Sequence, residues 1–251
     1  MFVVENHSAP QMSAQMPYAA ALGHRYAVAT AYTATTHPSL PNYLVMAGGS
    51  TFGVHDDAPP SRHPLHGASV FGLAVAHGRT AGVFAEGMTS TCQATSRGRY
   101  AVKHNPWAYF VDERSACGRF DRPLSALGPA ISAGTLPTVG LVVPDLCHDA
   151  HDCTLAEADR WLGTWVRRLQ AGPDWRSGRL LVVVTADEDD DRAGNRVLTV
   201  FAHPDLHHRQ VTKPLGHEAL ARLLAQAAGG AAPRRAAKAP SIAAALALSV
   251  S

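Results

Sequence analysis

The chain has 251 residues and a formal net charge of +2 at pH 7, and 46% of its residues are hydrophobic. That length suits one large domain, and the hydrophobic content argues against a disordered chain. The 22 lysines and arginines are scattered along the sequence, which disfavours a nucleic-acid partner, and no apolar run approaches the length of about 18 residues that a transmembrane helix needs.

Short apolar runs alternate with helical patterns along the chain. The runs predicted as strands lie at 2–4, 26–31, 80–84, 138–143, 180–185 and 197–202. The clearest helix spans 155–170, where Thr154 and Glu157 form a capping box at its start and Gly172 follows its end. This alternation predicts an α/β domain with a largely parallel sheet, in which functional residues follow the carboxyl ends of strands.

Three predicted strands are followed directly by polar side chains. The residues concerned are Glu5 and Asn6, then Asp145, Asp149, His151 and Asp152, and finally the five consecutive acids 187–191. Because adjacent carboxylates repel one another, the run of five acids needs either solvent or a bound cation to neutralise it. A solvated acidic turn is the alternative for this run taken alone.

The segment 36–44 follows a predicted strand and begins a helix. Ser39 is expected at the N-cap, with Pro41 in the first turn. A hydroxyl at this position either caps the helix or lies where a helix N-terminus stabilises a phosphate group and a serine alkoxide. Lys103 and His104 form a second polar group that is able to bind phosphate or to protonate a leaving group, unless it is an ordinary loop. His217 precedes the last strong helix and either reaches the site or caps the helix.

Two segments and the chain start leave alternatives open. The segment 48–67 is predicted as a surface loop that either lies near the site or is a solvated insertion. The Ala/Pro-rich segment 229–251 is a tail or a last helix after a single domain at 1–228. The start, MFVVENHS, lacks the features of a signal peptide, so a signal has been removed or the protein stays inside the cell.

The four cysteines are Cys92, Cys117, Cys147 and Cys153, and none of them forms a CxxC motif. Two disulfides are plausible, and among the three possible pairings 92–117 with 147–153 closes the shortest loops. Four free buried thiols are the alternative. Disulfides would indicate an oxidising compartment.

Six blocks of sequence, in order, resemble the bacterial phosphoesterase family. They are ENHS at 5–8, HPSLPNYL at 37–44, AEGM at 85–88, KHNPWAYF at 103–110, VPDLCHDAHDC at 143–153 and VVTADEDD at 183–190. That family includes secreted acid phosphatases, some of which act on phosphoinositides, and phospholipases C. The resemblance implies an alkaline-phosphatase-like three-layer sandwich, secretion or a cell-envelope location, and a first strand that is truncated relative to the family.

The resemblance also implies roles for individual residues. Ser39 would be the nucleophile, and His104 and His151 would bind phosphate oxygens or act as the acid on the leaving group. Asn42, Lys103 and Asp149 would contact the phosphoryl group. One divalent metal ion, for which the oxygen-rich set favours Mg²⁺, Mn²⁺ or Ca²⁺ without excluding Zn²⁺, would be held by Glu5, Asn6, Asp187 and Glu188.

The expected reaction is hydrolysis of phosphomonoesters through a phosphoserine intermediate. The substrate would be a small phosphate ester or a phospholipid head group. A phospholipase C-type phosphodiesterase is the alternative enzyme, and a secreted protein that binds phosphate or metal without turnover is the alternative from another class.

Overall fold

The computed structural model describes residues 1–249, so the last two residues of the predicted 229–251 tail lie outside the described part. The strands are β1 (Phe2–Val4), β2 (Ala27–Ala29), β3 (Tyr32–Thr33), β4 (Ala81–Ala85), β5 (Asp121–Pro123), β6 (Val139–Val143), β7 (Val182–Ala186), β8 (Thr199–Ala202), β9 (Arg209–Val211) and β10 (Leu215–Gly216). The helices are α1 (Ala9–Gln15), α2 (Pro17–Arg25), α3 (Ser39–Gly48), α4 (Val70–Ala76), α5 (Arg114–Phe120), α6 (Leu127–Ala133), α7 (Leu155–Ala171), α8 (Pro173–Arg176), α9 (His217–Ala227) and α10 (Ile242–Leu246).

Eight of these strands form the central sheet, in the order β5-β4-β6-β1-β7-β8-β2-β9. Strand β8 runs antiparallel to β7 and β2, and the other neighbouring pairs are parallel. Strands β3 and β10 form a separate parallel pair. The predicted largely parallel sheet is therefore confirmed.

The sheet is covered on both faces. Every residue of β7 is buried, as expected for a strand of a parallel sheet between two layers of helices. One group of helices in mutual contact is α1, α2, α6, α7 and α8, and the other is α3, α4, α9 and α10. The result is the predicted three-layer α/β architecture.

Local sequence explains the best-predicted helix. The Thr154 side chain accepts the Glu157 backbone N–H at 3.2 Å and caps the start of α7. This is one half of the predicted capping box; the described residues show no return hydrogen bond from the Thr154 backbone to the Glu157 side chain. The sequence did not predict β5 and β9. Both are three-residue strands at the two edges of the sheet, where polar residues are common and hydrophobic alternation is weak.

Two segments that the sequence left ambiguous pack on the domain. The segment 48–67 buries Val54 and Leu65 and extends over the start of α3. After residue 229, helix α10 buries Ile242, and the Arg234 guanidinium donates to the Gly48 carbonyl at 3.0 Å. The described part of the last segment is therefore a packed helical element and not a linker.

The cysteines form two disulfides, Cys92–Cys117 and Cys147–Cys153, which confirms the predicted pairing. None of the helices within residues 1–249 has the length and apolar character needed to span a membrane.

Candidate active site

Two acidic side chains meet where neighbouring parallel strands end. Glu5 follows β1 and Asp187 follows β7, and in the register of this strand pair Val4 lies opposite Ala186. The Asp187 backbone N–H donates to the Val4 carbonyl at 3.0 Å, so the pairing continues one residue past the strands. Both side chains are completely buried. The predicted convergence of polar residues at strand ends is correct for this pair.

Ser39 lies against Glu5 from the start of α3. It is the first residue of the helix, whereas the sequence predicted it as the N-cap, a position that Pro38 occupies. The Ser39 side chain makes no capping hydrogen bond, and its Oγ instead donates to Glu5 Oε2 at 2.9 Å. One turn further along the helix, the Tyr43 hydroxyl donates to Glu5 Oε1 at 3.1 Å. The serine is therefore held at the helix N-terminus with its hydroxyl aimed at a carboxylate.

Asn42 is also buried beside this cluster, but its amide is fully used within the protein. Its Oδ1 accepts the backbone N–H groups of Thr35 and Thr36, both at 3.1 Å. Its Nδ2 donates to Glu188 Oε2 at 3.0 Å. Asn42 thus ties the segment before α3 to the acidic loop after β7, and its predicted contact with a phosphoryl group stays a prediction.

Lys103 lies close to both the serine and Glu5. Its Nζ lies 3.3 Å from Ser39 Oγ and 3.7 Å from Glu5 Oε2. The same ammonium donates to Asp57 Oδ2 at 3.1 Å. Asp57 belongs to the 48–67 segment, which shows that this loop borders the site.

His104 is enclosed between two carboxylates. Its Nε2 lies 3.1 Å from Glu5 Oε1 and its Nδ1 lies 3.1 Å from Asp149 Oδ2, and its ring stacks on Tyr43. The histidine is only 1% exposed. This position suits a residue that holds Glu5 in place, and it does not suit the predicted contact with a leaving group.

Asp149 and His151 lie in the loop that the Cys147–Cys153 disulfide closes. The Asp149 carbonyl accepts the Glu5 backbone N–H at 2.8 Å, and its Oδ1 accepts the His151 backbone N–H at 2.8 Å. The His151 ring is on the surface, where it contacts Asp152 at 2.7 Å. Asp149 therefore supports Glu5 and His104, while the role of the His151 ring stays a prediction.

The ionisable groups of the site fall into two sets according to whether their neighbours favour or oppose the charged form. Burial by itself would raise the pKa of Glu5, but the charges of His104 and Lys103 outweigh it and hold that pKa well below its usual range. Burial likewise opposes the charged form of His104, but Glu5 and Asp149 raise its pKa to about 9. A carboxylate and an imidazolium are therefore the stable forms in the metal-free site.

For the acids after β7, burial and neighbouring negative charge oppose the ionised form. Burial, followed by the charges of Glu5 and Glu188, raises the pKa of Asp187 well above its usual value. Burial, followed by the charge of Glu5, raises the pKa of Glu188 to about 8. Asp187 Oδ1 accepts the backbone N–H groups of Asn6 and Glu188 at 3.0 and 2.8 Å, whereas its buried Oδ2 has no hydrogen-bond partner among the described residues.

These observations fit a divalent cation. A cation between Glu5, Asp187 and Glu188 would remove their mutual repulsion and would give Asp187 Oδ2 a partner. Asn6 lies at this position with a left-handed backbone (φ 56°), and its backbone N–H is committed to Asp187. Glu5, Asp187 and Glu188 do not bring one carboxylate oxygen each to within 4.8 Å of one another. Away from the disulfides, the groups of three His, Asp or Glu side chains in residues 1–249 that meet this distance are His37 with Asp189 and Asp191, and Glu86 with Asp145 and His148.

Three contributors were missed or left open by the sequence. His37 lies within 3.4 Å of Glu188 and Asp189, and Tyr43 lies on the Glu5 carboxylate. Both belong to the HPSLPNYL block: Tyr43 is four residues after Ser39 on α3, a spacing that puts the two side chains on one helix face, whereas His37 precedes the helix and only its closeness to Ser39 in sequence was an indication. His217 is fully buried beneath the site, where its Nε2 contacts the Asp187 carbonyl at 2.7 Å.

The chain is similar to known proteins over most of its length. A family model described as the Phosphoesterase family matches residues 8–195. That span includes Ser39, Lys103 and Asp187, whereas Glu5 and His217 lie outside it.

Two curated relatives are phosphatases. The chain is 33% identical over 204 residues to a phosphatidylinositol-3-phosphatase of Mycobacterium tuberculosis, a match that covers 79% of this chain and 62% of the relative. It is 26% identical over 183 residues to an acid phosphatase of Aspergillus fumigatus, covering 68% of this chain and 40% of the relative. The chain thus spans less than two thirds of the length of either relative.

Among solved structures, a protein in the alkaline phosphatase superfamily from Vibrio parahaemolyticus has a TM-score of 0.65 to this chain at 12% sequence identity. The match covers 91% of this chain and 65% of that structure. A similarity at this level of identity establishes the fold, and it confirms the alkaline-phosphatase-like architecture that the sequence predicted.

Proposed function

Because the chain belongs to the Phosphoesterase family, we propose that it hydrolyses phosphate monoesters with Ser39 as the nucleophile. The observation that carries this proposal is the position of the Ser39 hydroxyl, which lies at a helix N-terminus between Glu5 Oε2 at 2.9 Å and Lys103 Nζ at 3.3 Å. A hydroxyl in these surroundings is oriented by an acceptor and stabilised as an alkoxide by positive charge.

Each neighbour of Ser39 has a separate task in the proposed reaction. The Ser39 hydroxyl donates to Glu5 and accepts from Lys103, and its remaining lone pair attacks phosphorus. As the Oγ–P bond forms, the Ser39 proton passes to Glu5 and the bond between phosphorus and the leaving oxygen breaks. The leaving oxygen takes a proton from the predicted acid His151 and departs as the alcohol, while Lys103 neutralises the negative charge that gathers on the phosphoryl oxygens. Water then cleaves the phosphoserine and releases inorganic phosphate.

His104 and Asp149 act behind the reacting atoms. His104 contacts Glu5 on one side and Asp149 on the other, so it fixes the carboxylate that orients Ser39. We assign His104 to this positioning role, because its burial removes it from the path of a leaving group. The predicted acid with an accessible ring is His151, whose side chain is 36% exposed.

A divalent ion held by Glu5, Asp187 and Glu188, with Asn6 as the predicted fourth ligand, would supply positive charge to the serine and phosphoryl oxygens. The three carboxylates are hard oxygen donors, so Mg²⁺, Mn²⁺ or Ca²⁺ suits them, and Zn²⁺ remains compatible with carboxylate ligands. Two features of the chain's own residues support this assignment: Asp187 Oδ2 has no hydrogen-bond partner within residues 1–249, and the pKa of Glu188 is raised.

The names of two relatives support the proposed substrate class. Since one relative is named a phosphatidylinositol-3-phosphatase and another an acid phosphatase, small phosphate esters, including phosphoinositide head groups, are the proposed substrates. Secretion or a cell-envelope location is part of the proposal, because the two disulfides are compatible with an oxidising compartment.

The test compares hydrolysis of a chromogenic phosphomonoester by the wild-type protein and the Ser39→Ala variant, with and without a chelator. Ser132→Ala, which alters an exposed serine on α6, is the matched control. Loss of turnover in Ser39→Ala alone supports the proposal, and chelator sensitivity supports the metal. Phosphatidylcholine cleavage without phosphomonoester hydrolysis would move the assignment to a phospholipase C, and an unimpaired Ser39→Ala variant would remove Ser39 from the nucleophile's role.

A further inference from the structure

Asp57 occupies the hydrogen-bond donors that flank the proposed nucleophile. Its Oδ1 accepts the Leu40 backbone N–H at 2.8 Å, and its Oδ2 accepts the Lys103 ammonium at 3.1 Å. Leu40 directly follows Ser39 in the first turn of α3, and Lys103 Nζ is also within 3.3 Å of Ser39 Oγ. A carboxylate from the segment 48–67 therefore lies beside the serine hydroxyl and not out in solvent.

These two donors are of the kind that binds a phosphoryl group. A free amide at a helix N-terminus and a lysine ammonium both favour an anion with several acceptor oxygens. Like a phosphoryl group, the Asp57 carboxylate is an anion whose oxygens accept hydrogen bonds, but it has fewer oxygens. In the structure it accepts the hydrogen bonds of both the Leu40 amide and the Lys103 ammonium.

We propose that Asp57 is an internal competitor of the phosphoryl group for the Leu40 amide and the Lys103 ammonium, and that it sets how tightly the site holds phosphate. This inference rests on the proposed function, since it assigns a specificity role to the neighbourhood of Ser39. A phosphate ester must displace the Asp57 carboxylate when it binds, and the carboxylate returns when inorganic phosphate leaves.

The surroundings of Asp57 allow the side chain to move while its backbone stays in place. The side chain is 32% exposed, so rotation about its Cα–Cβ bond carries the carboxylate towards solvent. The next residue is anchored, because the Tyr109 hydroxyl donates to the Ala58 carbonyl at 3.1 Å. Val54 and Leu65 of the same loop are buried. The competition therefore requires a change of one side-chain rotamer, with no rearrangement of the loop.

A simpler role for Asp57 is to position Lys103, and the two roles have opposite consequences. If Asp57 only positions Lys103, neutralising it weakens phosphate binding, because the ammonium becomes less ordered. If Asp57 competes with phosphate, neutralising it tightens phosphate binding and lowers KM, because a charged rival has been removed. The direction of the change in phosphate affinity thus separates the two.

The neighbouring acid provides a matched control. Asp56 has a 63% exposed side chain and contacts His63 and the Ala58 backbone N–H, and it makes no hydrogen bond to Leu40 or Lys103. Asp56→Asn and Asp57→Asn change the net charge of the same loop by the same amount. Only Asp57→Asn removes charge from the donors beside Ser39.

The experiment measures binding of inorganic phosphate by titration calorimetry to the wild-type protein, Asp57→Asn and Asp56→Asn, with and without added divalent metal. We expect Asp57→Asn to bind phosphate about tenfold more tightly than wild type, the order of effect of weakening a charged hydrogen-bonding rival, and Asp56→Asn to stay within about twofold. Asp57→Ala, which removes the carboxylate altogether, should tighten binding at least as much as Asp57→Asn.

Unchanged or weaker phosphate binding by both Asp57 variants would overturn the inference, as would the absence of phosphate binding by all of the proteins. Because calorimetry reports binding without turnover, its result is independent of the hydrolysis assay. Tighter binding in the Asp57 variants together with no hydrolysis of any ester would leave the competition standing and would refute the proposed function. Hydrolysis that depends on Ser39, without tighter phosphate binding in the Asp57 variants, would refute the competition and leave the proposed function standing.

Discussion

The two sides of the candidate active site differ in how their charges are balanced. On one side, which we name the cationic side, Lys103 and His104 surround Glu5 and keep it ionised. On the other, the acidic side, Asp187 and Glu188 have raised pKa values because burial and neighbouring negative charge oppose their ionisation. The protein therefore stabilises the ionised form of Glu5 with its own side chains, whereas the ionised forms of Asp187 and Glu188 would need the proposed cation.

The largest effect is expected from weakening the acidic side. Asp187→Asn removes a proposed metal ligand, so phosphomonoesterase activity should fall by about a thousandfold or more. Burial and neighbouring charge oppose the ionisation of Asp187, and asparagine has no proton to lose, so near neutral pH the metal-free variant should have a higher Tm than wild type. Activity assays and thermal unfolding in chelator test both effects. Asp190→Asn, in the same acidic run, is the control, and a lower Tm for Asp187→Asn would contradict the comparison.

Breaking the cationic side should have a smaller effect on activity and the opposite effect on stability. His104→Gln leaves Glu5 and Asp149 buried without their cation, which costs about 3–5 kcal/mol and lowers Tm by on the order of 10 °C. Activity should fall by about a hundredfold, because Ser39 loses its fixed acceptor. Thermal unfolding of the metal-free protein checks the stability, and steady-state kinetics check the rate.

His217→Gln is the matched control for this change, since both histidines are fully buried. Burial lowers the pKa of His217 to about 4, so it is neutral and contacts a carbonyl and the Tyr32 hydroxyl. Its replacement should cost only about 1–2 kcal/mol, the order of a lost hydrogen bond. Equal losses of stability in the two variants would show that the charge of His104 is unimportant.

The pH dependence of stability tests the raised pKa values on both sides of the site. The folded pKa values of His104, about 9, and Glu188, about 8, both lie above their unfolded values, and burial also raises the pKa of Asp187, so between about pH 5 and pH 9 these groups bind more protons in the folded protein than in the unfolded chain. His217 and the Met1 amino group, whose pKa values burial lowers to about 4 and about 5, oppose this over part of the window. The metal-free protein should therefore lose stability as pH rises through this window. Bound metal replaces the proton on the acidic side, so adding it should flatten the loss. Unfolding curves with and without metal measure this, and a rise of stability with pH in chelator would contradict it.

The smallest expected effect is that of His217→Gln on catalysis. His217 contacts the Asp187 main chain and lies behind the carboxylate, so its loss should shift activity by less than about tenfold. Steady-state kinetics at saturating metal measure this, and a loss comparable to that of Asp187→Asn would place His217 among the groups that act directly on the site.

Most of the fold could be predicted because its central strands are short apolar runs bounded by polar residues. The prediction placed β1 at 2–4, as observed, and the structure begins α7 at Leu155 as its capping residues indicated. The positions of Glu5 and Asp187 were also predictable, because adjacent parallel strands bring their carboxyl ends together.

The remaining features depend on tertiary contacts that no local pattern encodes. Asp57 lies in a polar loop, and its position beside Ser39 follows from buried anchors such as Val54 and from the contact with Lys103. The sequence predicted His104 as an acid that reaches the leaving group. Its enclosure between Glu5 and Asp149 could not be predicted, because these residues lie far from it in the chain. Ser39 is the first helical residue and not the N-cap. Its hydroxyl bonds to Glu5, a distant residue in the chain, and not to its own helix.

The most direct test of the whole account is to trap the covalent intermediate. Wild-type protein is mixed with a phosphomonoester, quenched in acid and mapped by peptide mass spectrometry, with Ser39→Ala treated in parallel. We expect a phosphoryl group on Ser39 of the wild-type protein and none in the variant. Turnover accompanied by a phosphoryl group on another residue, or by the same labelling of both proteins, would contradict it.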